Sequence, residues 1–476
     1  MPDFTFITTN EQGQVRKGDS KIIRSSCMRG KNERPGSRRV KRRTKRQHPR
    51  SQEEEPDEDG FINLIPATNS LGAKLAHRII GAPLSQPYLP DVAQLSFLDK
   101  VDRRSRDIMF KFLIYSVSID LLYPIEKCLE FPRMDNFLEM MATNRAFLDL
   151  TLLITSAMND FVHGSPASLL TTTHIRAALS HLNALISKPP TEDNLLTIVF
   201  LAIGLGNAAT IFGDYAAASA HIRGLQQIAT MKGGKEHLDK FPKFNFKISR
   251  LDLSYSLSTG KKPVWSNLHD TPEPETWQPY FSGSNPLPPH LASVLDDHCS
   301  DPCISTPNHF PKFTVVYNDL RCFVNMLNTN ITSKTYMPTD VFHQSIHSIQ
   351  GRLLQLDGKL FDTIAECVRL GMLAVLTTTF RLPGPKMEYS YLHDCLRIRL
   401  HTVRPETTSA RKMVFWVLMM SLVAVFEVHE DWIPEVWGRL RGEEKGWGEV
   451  KRALKSAIWI DYIHDEPARE VFKRFG

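Results

Sequence analysis

From Phe97 to Ile463, apolar residues recur at steps of three and four, and prolines or glycines stand between the segments. That period lays one stripe along a helix, whereas a strand with one buried face alternates at two. Few segments alternate at two over several residues, so the chain is expected to be all-α, an irregular multi-helix bundle or superhelix with almost no sheet. The predicted helices are Phe97 to Leu122, Met134 to Val162, Leu169 to Ile186, Leu195 to Leu205, a hairpin within Asn207 to Pro263, Phe313 to Leu327, Val341 to Leu356, Ile364 to Phe380, Tyr389 to Leu400, Ala410 to Glu427, Glu435 to Leu440 and Val450 to Ile463. No repeat of fixed length organises them, which argues against a regular solenoid.

The prolines also divide the chain. Residues 1–60 read as a disordered tail, basic then acidic, 61–90 as a Pro-rich linker, and 91–476 as one helical region. Between Pro263 and Pro311 the periodicity is lost, so the helical mass is expected in halves of about 91–263 and 311–476 joined by a Pro-rich connection. Met413 to Phe426, an apolar run of 14 residues interrupted only by Ser421, is too short to span a bilayer and is expected to be a helix buried on nearly all sides. No apolar segment opens the chain, so neither a secretory leader nor a membrane partner is expected.

The hairpin is the most legible stretch. Tyr215, Ala218, Ile222, Leu225 and Ala229 form one stripe, Asp214 is placed to cap the first helix, and Gly233 and Gly234 to end it. A second helix, Lys247 to Leu257, ends at Gly260 and Pro263. Gly213, Asp214, Ala220, His221, Gly224, Leu225, Gly233, Gly234, Arg250, Asp252, Gly260 and Pro263 together resemble the fungal-specific transcription factor domain, with Lys232 and Leu251 as small departures. The resemblance extends more weakly from about residue 90 to the end. It implies a helical regulatory domain that binds an effector, protein partners or a second copy, and no catalytic residues or cofactor. Ile22 to Asn32 also resembles an N-terminal segment of many such fungal proteins.

Charge divides unevenly. Residues 1–50 hold 15 Lys and Arg against four carboxylates, a net +11, so the remaining 426 residues sum to −5. Arg38, Arg39, Lys41, Arg42, Arg43, Lys45 and Arg46 place seven charges in nine positions, a block that stays extended and attracts polyanions or a nuclear import receptor. Nucleic-acid contact through phosphates, largely nonspecific, and a nuclear location are therefore expected. The acidic block from Glu53 to Asp59 partly screens it. Family members that read specific sites resemble one another in six N-terminal cysteines holding two zinc ions. Here Cys27 is the only cysteine before Cys128.

The seven cysteines are scattered, which argues for a reducing compartment, and Cys299 and Cys303 supply only two of the four ligands a tetrahedral zinc needs. No metal site is expected. Gly204 and Gly206 lack the strand and third glycine of a dinucleotide loop and are read as small residues at a helix junction. His464, Asp465 and Glu466 are the most enzyme-like cluster, yet neighbours on a helix diverge by about a hundred degrees. With Pro467 marking a turn, they are read as a helix end. His393, Arg397 and His401 share a helix face, and Arg397 disfavours a cation there, so a solvated basic face is expected. Trp416, Trp432, Trp437, Trp447 and Trp459, in the last 61 positions, are read as core, with an apolar ligand pocket or dimer surface as the functional alternative. The competing reading of the whole chain is a helical interaction scaffold or effector sensor without direct DNA binding.

Overall fold

The structure, a computed structural model, describes residues 101–109, 125, 137–188, 191–231, 238, 242–263, 265, 310–358, 360, 363–379, 385–443 and 446–476. They belong to the unit Ala67–Gly476 and form an all-α fold without strands among the described residues. In chain order the helices are α1 (Phe137–Thr143), α2 (Arg145–Val162), α3 (Leu169–Ile186), α4 (Glu192–Ile211), α5 (Tyr215–Thr230), α6 (Pro242–Thr259) and α7 (Phe310–Ser333). They continue with α8 (Thr339–Gln355), α9 (Thr363–Thr378), α10 (Ser390–Thr402), α11 (Thr408–Ala424), α12 (Ile433–Leu440), α13 (Trp447–Lys455) and α14 (Asp461–Phe475).

Local chemistry sets several of the boundaries. The side chains of Asn144, Ser168, Thr191, Asp214 and Thr407 accept the backbone N–H three residues on, so each opens a helix. Asn144 therefore splits the single helix expected from Met134 to Val162 into α1 and α2. At the other end of the chain, the helix expected to stop at Ile463 stops at Lys455, and α14 begins at Asp461 and runs through Pro467. Pro467 is the seventh residue of α14, where its missing N–H removes the bond to Ile463 O and its ring crowds that carbonyl.

Two cores result. Helices α2, α3 and α4 meet in one apolar cluster, and α4, α5 and α6 in the next. Gly204 and Gly206 make this packing close: an added Cβ would fall 2.2 Å from Leu150 Cδ1 or 2.6 Å from Leu251 Cδ2. Asn194–Ile211, within α4, is long and apolar enough to cross a membrane by length and composition, and half of it is buried against α2, α3, α5 and α6. A helix apolar all round is what a core position demands.

The larger core gathers α7 to α14 around α11, where every residue from Met413 to Ala424 is buried. Helix α6 belongs to both. Phe244, Ile248, Leu251 and Tyr255 enter the first core, while Leu253 and Leu257, on the opposite face, enter the second. One helix is thus the common wall of the two halves.

Candidate functional site

The described residues carrying the resemblance fall at the end of α4, on α5, and on or just beyond α6, the wall itself. Gly213 ends α4 at φ +73, where glycine avoids Cβ strain, with its N–H on Thr210 O at 3.2 Å and that of Asp214 on Ala209 O at 2.8 Å. Asp214 then accepts from Ala217 N–H at 3.0 Å and opens α5. Leu225 is wholly buried, Ala220 is exposed, and a Cβ on Gly224 would meet nothing within 4 Å. His221 is half-buried, and burial lowers its pKa against the pull of Asp214, so it packs as a neutral ring. Gly233 and Gly234 lie outside the described residues.

On α6 the motif residues do more than pack. Asp252 is fully buried and its carboxylate accepts Trp265 N–H at 3.0 Å, which folds the chain beyond the buried Pro263 back onto the helix. Gly260 takes φ +69, and an added Cβ would lie 2.6 Å from Tyr391 Cδ2. Ser258 Oγ donates to Glu388 O at 3.3 Å, and Tyr215 Oη to the same carbonyl at 3.2 Å. Tyr389 is buried, which raises its phenol pKa, while the charge of Arg250 and a hydrogen bond with Ser254 pull the other way. Met387 packs on Met158 and Phe161 of α2. The segment Met387–Tyr391 of the second half is therefore held by α2, α5 and α6 of the first.

From Tyr391 a polar chain enters the larger core. Its hydroxyl donates to Asp357 Oδ2 at 3.2 Å, and Asp357 Oδ1 accepts from Arg369 Nη2 at 2.6 Å. Arg369, 1% exposed, also grips both oxygens of Glu366 at 2.8 and 2.7 Å and donates to Leu353 O at 3.2 Å. Burial opposes the guanidinium charge, but Glu366 and Asp357 outweigh it and raise the pKa. An arginine set within the apolar run of α9 is the sequence signal for this network; its partners, 12 and 22 residues away at Asp357 and Tyr391, are not legible from periodicity.

The remaining candidates are absorbed into structure. His464 is wholly buried; its Nδ1 accepts Ile460 N–H at 3.0 Å and its Nε2 meets Thr378 Oγ1 at 2.8 Å. Burial lowers its pKa to about 3, so at neutral pH it is an uncharged brace between α9 and the start of α14. Asp465 turns away to Lys451 and to Trp459 Nε1, the latter at 2.9 Å, and does not orient the histidine. The turn expected at Pro467 is instead helix interior.

The solvated face expected on α10 is corrected as well. His393 Nε2 lies 3.2 Å from Glu430 Oε2 with its ring against Phe426, and His401 lies 5.1 Å from the Trp432 ring. The segment Glu427–Trp432 covers both imidazoles, since Glu430 also accepts from Glu427 N–H and Trp432 Nε1. Arg397 is exposed, whereas His393 and His401 are partly buried.

Trp416 and Trp459 are core residues, with Trp416 Nε1 on Ile458 O at 2.9 Å, and Trp437 is buried against Phe415 and Phe475. Trp432 and Trp447 pack on the same core, partly buried. Cys367 is buried, which pushes its thiol up to about 12 and leaves it inert. Among the described residues no group of three His, Cys, Asp or Glu is placed to hold a metal ion. Cys299, Cys303 and the basic block from Arg38 to Arg46 lie outside the described residues.

Compared with known protein families, with curated proteins and with solved structures, the chain matches none.

Proposed function

We propose that this chain is a nuclear transcriptional regulator similar to fungal transcription factors, with a helical domain that binds an effector or protein partners. The observation that carries the reading is where the resembling residues fall. Arg250, Asp252, Gly260 and Pro263 lie on or beside α6, which enters both the α4–α6 cluster and the larger core, and Gly260 meets Tyr391 there. A binding event that shifts one core against α6 is transmitted to the other through packed side chains and the Asp357–Arg369 network.

The basic tail supplies nuclear import and phosphate neutralisation. Lys and Arg release condensed counterions, so affinity for any duplex falls steeply with salt and depends little on sequence. Alanine at Arg38, Arg39, Lys41, Arg42, Arg43, Lys45 and Arg46 is expected to weaken binding to all duplexes alike. Unchanged affinity overturns the electrostatic role. Grafted onto an inert reporter, residues 38–46 are expected to carry it into the nucleus; a cytoplasmic reporter removes the import role.

The second reading is a helical interaction scaffold without direct DNA contact. It is favoured by Cys27 standing alone before Cys128, which removes the zinc-held helix that would read base edges. On that reading the protein reaches DNA through a bound partner.

A further inference from the structure

At the C-terminal end of α10, two arginines are fixed side by side. Arg404 Nη1 donates to His401 O at 2.5 Å and to Val403 O at 3.1 Å, while Arg439, on α12, donates through Nη2 to Leu400 O. Both guanidiniums thus satisfy carbonyls that the last helical turn leaves open. Capping alone does not account for both. A helix end carries roughly half a negative charge, and here it faces two full positive ones.

Among the described residues no buried carboxylate makes up the difference. Glu435 stands 3.8 Å from Arg439 Nη1, is 71% exposed, and at that distance in water contributes little. Arg439 Nε is buried with no acceptor. Burial lowers the pKa of Arg439 and the nearby charge of Arg404 lowers it further, against the opposing pull of Glu435. Arg404 is exposed and Arg439 is 22% exposed, so the pair is reachable from solvent.

We propose that Arg404 and Arg439 form an oxyanion site for a phosphate group. A carboxylate has one charge and two oxygens, which one guanidinium fork satisfies. Two forks held by separate carbonyls call for a ligand with about two charges and more oxygens. Phosphate has both. The group belongs either to a nucleic-acid backbone or to a small phosphorylated molecule.

The test is thermal unfolding of the full chain in inorganic phosphate and in chloride of matched ionic strength. Phosphate is expected to raise the melting temperature saturably, by about 2 °C at ten times its Kd, beyond the effect of chloride. Arg404→Glu supplies a fixed carboxylate beside Arg439. It is expected to abolish the phosphate increment, while melting lower in chloride because the bonds to His401 O and Val403 O are lost. An increment absent from the wild type, or retained in full by Arg404→Glu, overturns the site. Should Arg404→Glu not fold, Arg404→Gln is expected to weaken phosphate at least tenfold, and unchanged affinity overturns the site equally. A short duplex that stabilises the wild type but not Arg404→Glu assigns the phosphate to nucleic acid. Equal action of the duplex on both, with the phosphate increment still lost, assigns it to a small ligand.

Discussion

Tyr391 lies across Gly260 so closely that a Cβ on the glycine would stand 2.6 Å from Tyr391 Cδ2. The end of α6 and the start of α10 meet at a point where only hydrogen fits, and the backbone there is left-handed. Both facts ask for glycine, and they join two halves that a long proline-rich segment separates in sequence.

Gly260→Ala is therefore expected to cost about 3 kcal/mol, from left-handed strain of about 1–2 and overpacking of about 1–3. Gly224→Ala, where an added Cβ meets nothing, is expected to stabilise by about 0.5–1 kcal/mol, the usual gain on replacing a helical glycine. Urea unfolding of both variants checks the contrast. Equal effects would show that the contact with Tyr391 does not hold the halves together.

Arg369→Ala is expected to destabilise by about 3–5 kcal/mol, because it strands the carboxylate of Glu366, itself 9% exposed, in the larger core. Tyr391→Phe removes one hydrogen bond at the half-exposed rim of the same chain and is expected to cost about 0.5–1.5 kcal/mol. Similar losses in the two variants would mean that the network is not anchored at Arg369.

Much of this was legible in the sequence, and what was not has a common cause. The limits of α3, the cap at Asp214 and the burial of α11 follow from three-and-four spacing and local donors and acceptors. The break at Asn144 did not, because an asparagine within a continuous apolar stripe reads as tolerated. Nor did the run of α14 through Pro467, where a proline early in a helix was read as a stop. The partners of His464 and Arg369 lie 86 and 12 residues away, at Thr378 and Asp357, and only tertiary packing brings them together. The double role of α6 escapes periodicity because Leu253 and Leu257 blur the stripe formed by Ile248, Leu251 and Tyr255.

His464 gives a pH signature. Its folded pKa of about 3 lies below the ordinary 6.5, so the folded state resists a proton that the unfolded chain takes up. Its contribution is complete above pH 6.5 and is lost as the pH falls toward 3, by about 1.4 kcal/mol per unit. Between pH 7 and pH 5 the wild type is expected to lose about 2 kcal/mol more than His464→Gln in chemical denaturation. Parallel curves for the two proteins would contradict the buried neutral brace.

The central claim, a regulator whose folded domain couples two cores while a basic tail holds nucleic acid without reading it, meets its most direct test in selection from a pool of random duplexes. The intact chain and a chain lacking residues 1–50 are compared at two salt concentrations. The account predicts salt-sensitive retention of duplex by the intact chain, no enriched sequence, and loss of most retention on truncation. Enrichment of a defined sequence, or no retention at either salt, would contradict it.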